Sequence, residues 1–382
     1  MSHISLKRPG LACAVMSITL LVAPCLLAGE PAATERYDYA IPNKPAEIVT
    51  ADFNLDGNTD IAVLNNKNMN VFYGLGAGAF AKWKTVATGR WPDAIVTSDW
   101  NADGRPDAAV MNFYGVRVFT GRANGKLKRC TGLVVHYVFM SLATGDFNQD
   151  DILDLAVGQI TFHGGAWGVD HAEYYVLVFD GVGNGKFTNR LRYRVAKPPS
   201  EIVTGDFDGD GLTDVAVGTG ATAGGLNILY GRAGGGFADA AVCPSPATYA
   251  MVCADFNDDG RLDIALVDAL DDEVALLYGE EGGFAAPVAY AVDGVHAAIA
   301  LGDFNADALL DIAVARGDAD GFATILYGQE GGGFGQATDY PVGLNPSGIA
   351  AADSSGDGLL DLVVSNNASR SISVLLNAGD EP

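Results

Sequence analysis

The sequence predicts an all-β chain, a seven-bladed β-propeller closed by an N-terminal outer strand that pairs with the last three C-terminal strands. Three observations predict it. A nine-residue acidic phrase recurs seven times, starting at Asp52, Asp99, Asp146, Asp206, Asp255, Asp303 and Asp353, at intervals of 47 to 50 residues with one of 60. Each period divides into four short strand-like runs, which is the make-up of a propeller blade. The last period stops after three such runs, and a matching fourth, Glu35-Arg36-Tyr37-Asp38-Tyr39-Ala40-Ile41-Pro42, stands at the opposite terminus, similar to Ala337-Thr338-Asp339-Tyr340-Pro341-Val342. An open solenoid or two stacked sandwiches would not explain that complementary split.

The first 29 residues differ in kind from the rest. Lys7 and Arg8 precede an apolar run from Leu11 to Leu27, followed by Ala28-Gly29. That order of positive, apolar and small-residue regions reads as a secretory signal peptide over 1–29. The apolar run is about 17 residues and contains Pro24, short for a membrane span of roughly 20. The mature chain is therefore expected to be exported (secreted, periplasmic or on the cell surface), with the propeller over 36–378.

Within a period, the first strand ends at the acidic phrase, as in Glu47-Ile48-Val49-Thr50-Ala51 and Glu201-Ile202-Val203-Thr204-Gly205. Its small residues suit a strand crowded against its equivalents around an axis. The second strand follows the last Asp (Ile61-Ala62-Val63, Val215-Ala216-Val217, Ile312-Ala313-Val314) and is apolar on consecutive residues, which implies burial on both faces. The third ends in an aromatic-Gly pair such as Tyr73-Gly74 or Tyr230-Gly231. The fourth is expected to begin near Phe80, Phe187, Phe237, Phe284 and Phe334.

The 382 residues are 49% hydrophobic, ample for a packed core, and carry 47 acids against 23 bases, a net charge of -24. So acidic a chain repels phosphate backbones and anionic membrane surfaces, which argues against a nucleic-acid partner. Nearly half of the acids lie in the seven phrases. Asp, Asn or Asp, and Asp at positions 1, 3 and 5 set three hard oxygens on one side of a tight loop, and Asp at position 9 returns a fourth. The predicted ligand sets are Asp52, Asn54, Asp56 and Asp60; Asp99, Asn101, Asp103 and Asp107; Asp146, Asn148, Asp150 and Asp154; Asp206, Asp208, Asp210 and Asp214; Asp255, Asn257, Asp259 and Asp263; Asp303, Asn305, Asp307 and Asp311; and Asp353, Ser355, Asp357 and Asp361. The main-chain carbonyls at position 7, of Asn58, Arg105, Ile152, Leu212, Arg261, Leu309 and Leu359, add a fifth oxygen to each. Hard oxygens in a flexible loop favour calcium. Asp, Asn and Gly also form metal-free Asx turns, but seven packed sets of carboxylates without a cation would repel one another.

The copies are unequal. Those at Asp52, Asp99, Asp206 and Asp255 are complete, whereas Asp151 and Ala308 replace Gly at position 6 of the third and sixth, and Ser355 replaces Asn or Asp at position 3 of the seventh. Up to seven calcium sites are expected, four of them strong. Arg105 and Arg261 are expected to point to solvent.

The phrase, the trailing Asp-Ile-Ala-Val and the aromatic-Gly turn resemble the FG-GAP/VCBS repeats of secreted bacterial proteins, and are similar to the blades of the integrin α-subunit N-terminal propeller. The resemblance spans about Tyr37 to Asn377. It implies that the phrase residues are calcium ligands on one face and that partners bind the opposite face. Such propellers serve as adhesins, lectins and receptor heads, and occasionally as polysaccharide lyases.

The opposite face holds the second-to-third and fourth-to-first connections. The period starting at Asp146 is the long one, and its excess falls within Phe162 to His171, including His163, Trp167, Asp170 and His171. His136 and Tyr137 enter the same blade, and Trp91 with Arg90 lies in another connection on this face. Aromatic, His and Asp side chains together suit sugar stacking with hydrogen bonding, although a tolerated insertion with Trp167 tucked against a neighbour is the blander reading. Two His without defined spacing are a weak zinc signal. Arg316-Gly317-Asp318 matches an adhesion tripeptide, a match that chance explains in a Gly- and Asp-rich chain. No Ser-His-Asp order, nucleophile elbow or phosphate loop is present. The chain thus reads as a non-enzymatic, calcium-bearing binding module for an extracellular glycan or protein. A polysaccharide lyase or hydrolase and a plain scaffold are the alternatives. After signal removal Cys130, Cys243 and Cys253 remain, an odd number that leaves at least one thiol without an intramolecular partner.

Overall fold

The computed structural model describes residues 35–134, 138–163, 171–220, 224–268, 270–294, 296–317 and 320–377. Residues 1–29, read above as a signal peptide, and His136, Tyr137, Trp167 and Asp170 lie outside these. Among the described residues every regular element is a strand, and no helix is long and apolar enough to cross a membrane. Seven four-stranded antiparallel sheets form the seven blades.

The first strands are Pro45–Ala51, Ile95–Ser98, Val138–Gly145, Pro199–Gly205, Thr248–Ala254, His296–Gly302 and Pro346–Ala352. Each packs on the first strand of the next blade, and the seventh returns to the first, so the ring is closed. The seventh sheet supplies the closure: Glu35–Ala40 pairs antiparallel with Ser371–Leu376, with Tyr37 opposite Val374 and Tyr39 opposite Ile372. The second strands behave as their composition implies. Asp60–Asn65, Asp214–Thr219, Asp311–Arg316 and Asp361–Asn366 are buried along their whole length, because a blade packs on each side.

Two expectations need correction. Phe80, Phe237, Phe284 and Phe334 do not begin outer strands. They close a short hairpin or bridge, opposite Gly74, Gly231, Gly279 and Gly328, and the outer strands start later, at Lys84, Ala241, Val288 and Thr338. Three of the rings turn inward instead, to the aromatic at position 2 of the preceding blade's phrase, Phe237 on Phe147, Phe284 on Phe207 and Phe334 on Phe256, at 5.5–5.8 Å, while Phe80 meets Tyr39 at 5.5 Å. Only Phe187 opens a strand, and it meets Trp100 in the same way. The second correction concerns the long period. Part of its extra length is strand, because Asp154–His163 and His171–Gly181 extend one hairpin beyond the ends of the other blades.

Candidate functional site

The acidic phrase forms the same loop seven times, between first and second strands. Positions 4 and 6 both lie in the left-handed region, with φ of 54–82° at Leu55, Ala102, Gln149, Gly209, Asp258, Ala306 and Gly356, and of 62–92° at Gly57, Gly104, Asp151, Gly211, Gly260, Ala308 and Gly358. Asp151 and Ala308 therefore adopt a conformation that favours glycine. The left-handed need at position 4 is hidden in the sequence, since only two copies place Gly there. This backbone winding turns main-chain N–H groups toward the position-1 carboxylate. Asp52 accepts from Asp56 N (3.1 Å) and Gly57 N (2.8 Å), and Asp206 accepts from Asp210 N and Gly211 N in the same way. The third and fifth side chains converge on the same loop, Asn54 Oδ1 accepting from Asp56 N and Asp56 Oδ1 from Asn58 N. In the fourth blade a ligand oxygen from each of Asp206, Asp208 and Asp210 lies within 4.8 Å of the others. Such convergence of like charges fits a hard cation.

The position-9 Asp has a further part. In all seven blades it is fully buried and bridges two backbone donors. Asp60 Oδ2 accepts from Phe53 N (2.9 Å) and its Oδ1 from Gly74 N (2.8 Å), and the pattern repeats at Asp107, Asp154, Asp214, Asp263, Asp311 and Asp361. The Gly of the aromatic-Gly pair is thereby explained. A Cβ at Gly74 would sit 2.4 Å from the carbonyl oxygen of Thr59. Burial pushes Asp60, Asp214 and Asp311 up to about 7, with the like charges at positions 1, 3 or 5 adding to it. A cation in the loop would act in the opposite direction. Arg105, expected to face solvent, folds back to donate to Asp103 O at 3.3 Å.

On the opposite face, Trp91 does not stand alone. It is 57% exposed, with φ of 48°, and meets Phe113 edge-on at 5.4 Å. Phe113 (62% exposed) meets Tyr114 (54%) at 5.3 Å. These two rings come from the second-to-third turn of blade two, and Trp91 from the connection entering that blade. The loops are tied by Phe113 N donating to Arg90 O (3.2 Å) and Asn112 Nδ2 to Thr88 O (3.1 Å). The Arg90 guanidinium lies 6.0 Å from the Trp91 ring centre. Sequence reasoning found Trp91 and missed its partners; the adjacent exposed aromatics in a two-strand turn were the available signal.

His163 and His171 are brought together as direct cross-strand partners. Arg316, by contrast, is buried, bound to Asp339 at 2.8 Å and stacked on Phe322, so the tripeptide's Arg is not presented to a partner. Around the axis two glutamates escaped sequence reasoning. Glu47 accepts from Ile95 N (3.0 Å) and Glu201 from Ser141 Oγ (2.7 Å), each reaching a neighbouring first strand. Both are enclosed by protein while keeping partial solvent contact. Burial pushes Glu201 up to about 7, and burial together with the charge of Glu201 raises Glu47 well above the usual carboxylate range.

The FG-GAP-like repeat model matches residues 52–110, 99–157, 206–266, 255–314 and 303–364. No curated protein matches the chain. Among solved structures, BBS1N in complex with ARL6DN is similar at 12% identity and a TM-score of 0.60, over 90% of this chain and 98% of that one. An Agrocybe aegerita lectin, described as specifically recognising non-reducing terminal N-acetylglucosamine, is similar at 16% identity and a TM-score of 0.50, over 82% and 91%.

Proposed function

The chain belongs to the FG-GAP-like repeat family, and from that premise we propose that it is an exported, calcium-bearing propeller that binds a glycan on the face opposite its acidic loops. The observation that carries the reading is the exposed trio of Trp91, Phe113 and Tyr114, in which Phe113 meets each of the other two rings edge-on, with Arg90 beside Trp91. Aromatic faces stack on the C–H faces of sugars, and a nearby guanidinium donates to hydroxyl or carboxylate oxygens. A left-handed Trp held by two hydrogen-bonded loops is a conformation that costs energy and is typical of functional sites. The N-acetylglucosamine-recognising lectin supports the reading only to the extent that a propeller of similar fold recognises a sugar.

Calcium would be held by the side chains at positions 1, 3 and 5 with the carbonyl at position 7. The position-9 Asp, already bonded to two backbone donors, would close the shell from below. The ion's part is to neutralise the converging carboxylates and stiffen the loop; ligand contact is left to the other face.

A glycan array in calcium, followed by titration calorimetry on the best ligand, tests the assignment. Trp91→Ala and Phe113→Ala should each weaken binding about tenfold or more. Both residues are exposed, so stability should change by no more than about 0.5 kcal/mol. An array without hits, or affinities unchanged in both variants, would sink it.

A further inference from the structure

We propose that His163, His171 and Glu173 form a site for a borderline divalent cation of the zinc class, separate from the calcium loops. It stands independently of the glycan reading. The second and third strands of blade three run past the ends of their counterparts, and His163 and His171 face each other across the extension as an antiparallel pair. Their rings stack at 4.6 Å and 9°. Glu173 lies two residues beyond His171 and so on the same face of the sheet. Its Oε2 is 2.9 Å from His163 Nε2, and a ligand atom from each of the three residues lies within 4.8 Å of the others.

The donor set decides the class of ion. Two imidazole nitrogens and one carboxylate oxygen suit zinc and its neighbours, whereas calcium takes oxygen. Three protein ligands leave a fourth position for water, and both His are exposed, so an ion has a direct path in. The carboxylate is also supported from behind. Tyr175 OH donates to Glu173 Oε2 at 2.9 Å, an outer partner of the kind that orients metal ligands. Arg192 lies over the Tyr175 ring at 3.9 Å, and Arg194 is the cross-strand neighbour of Tyr175. An ion here would tie the two long strands together at their last described pair. The sequence holds both His but does not show that Glu173 joins them, because that depends on the register of the extended strands.

Zinc chloride titrated calorimetrically into the full mature chain, with calcium in large excess to fill the acidic loops, should show one site. His163→Ala and His171→Ala should each abolish it, and Tyr175→Phe should weaken it about tenfold. Cobalt(II) in place of zinc should give visible absorption bands in the parent that are missing from both His variants. Melting of the variants in calcium alone should match the parent, since the side chains are exposed. No zinc binding in the presence of calcium, or a one-site isotherm and cobalt bands unchanged in the His variants, would overturn the proposal.

Discussion

The two faces of this propeller are built by opposite rules. On one, seven loops repeat a single backbone conformation down to the two left-handed residues, and exposed large apolar side chains are few: Leu55, Leu75 and Val182. On the other, the connections differ from blade to blade and expose Trp91, Phe113, Tyr114, Phe162, Tyr249, Leu270 and Leu344. Repetition persists where backbone geometry does structural work. Each acidic loop satisfies its own N–H groups with its own carboxylates and anchors the next turn through its last Asp. The opposite connections carry no such shared constraint, so they are free to diverge from blade to blade.

The largest expected effect concerns the loop face alone. With calcium at about 10 mM and sites of roughly 0.1–1 mM, each filled loop contributes about 1.4–2.7 kcal/mol, so four complete loops contribute roughly 6–11 kcal/mol. Chelation should lower the melting temperature by about 10 °C or more, and an unchanged melt would remove calcium from the account. Next comes Asp60→Ala, which leaves the buried N–H groups of Phe53 and Gly74 without acceptors. It should cost about 3–5 kcal/mol. The cost should persist in chelator, because the backbone bridge does not require an ion; a cost that vanishes on chelation would assign Asp60 to the ion alone.

Between the faces, Glu201 gives a pH test. Its folded pKa of about 7 lies above the unfolded value, so the folded chain binds its proton more tightly. That stabilisation is complete below about pH 4.5 and is lost as pH rises through 7. Glu201→Gln should be more stable than the parent by roughly 1–2 kcal/mol at pH 8, after allowing for partial solvent contact, with the gap closing near pH 5. Denaturant melts at the two pH values decide it. The smallest effect is again on the loop face. Ala308→Gly should add about 1 kcal/mol, because Ala308 sits at φ of 68°. A loss of stability instead would mean that the strain at position 6 is relieved by some other contact.

Much of the loop face was legible in the sequence, and little of the other. The spacing of the acidic residues, the Gly at position 6 and the wholly apolar second strands are local patterns, each read within a dozen residues. Position 4 was not legible, since Leu55, Ala102 and Ala306 show no preference for the conformation they adopt. The Asp60–Gly74 bridge was not either, because its halves belong to opposite ends of a hairpin. Phe80 and its equivalents were misread as strand starts because an aromatic after a Gly turn looks alike whether it pairs or packs inward. Trp91 was recognisable as an unusual residue, but that Phe113 meets it, and Tyr114 in turn meets Phe113, was not, because the Trp91 contact joins two separate connections.

The sequence by itself determined the number of blades, the place of the seven acidic loops and the closure of the ring. Each blade is a nearly self-contained unit of antiparallel neighbours, and its signals lie close together along the chain. The tertiary structure alone decided which aromatics share a surface, that Glu47 and Glu201 each reach a neighbouring first strand and that Glu173 joins two histidines. Those groupings depend on strand register and on how separate connections meet, and neither is encoded in any local run of residues.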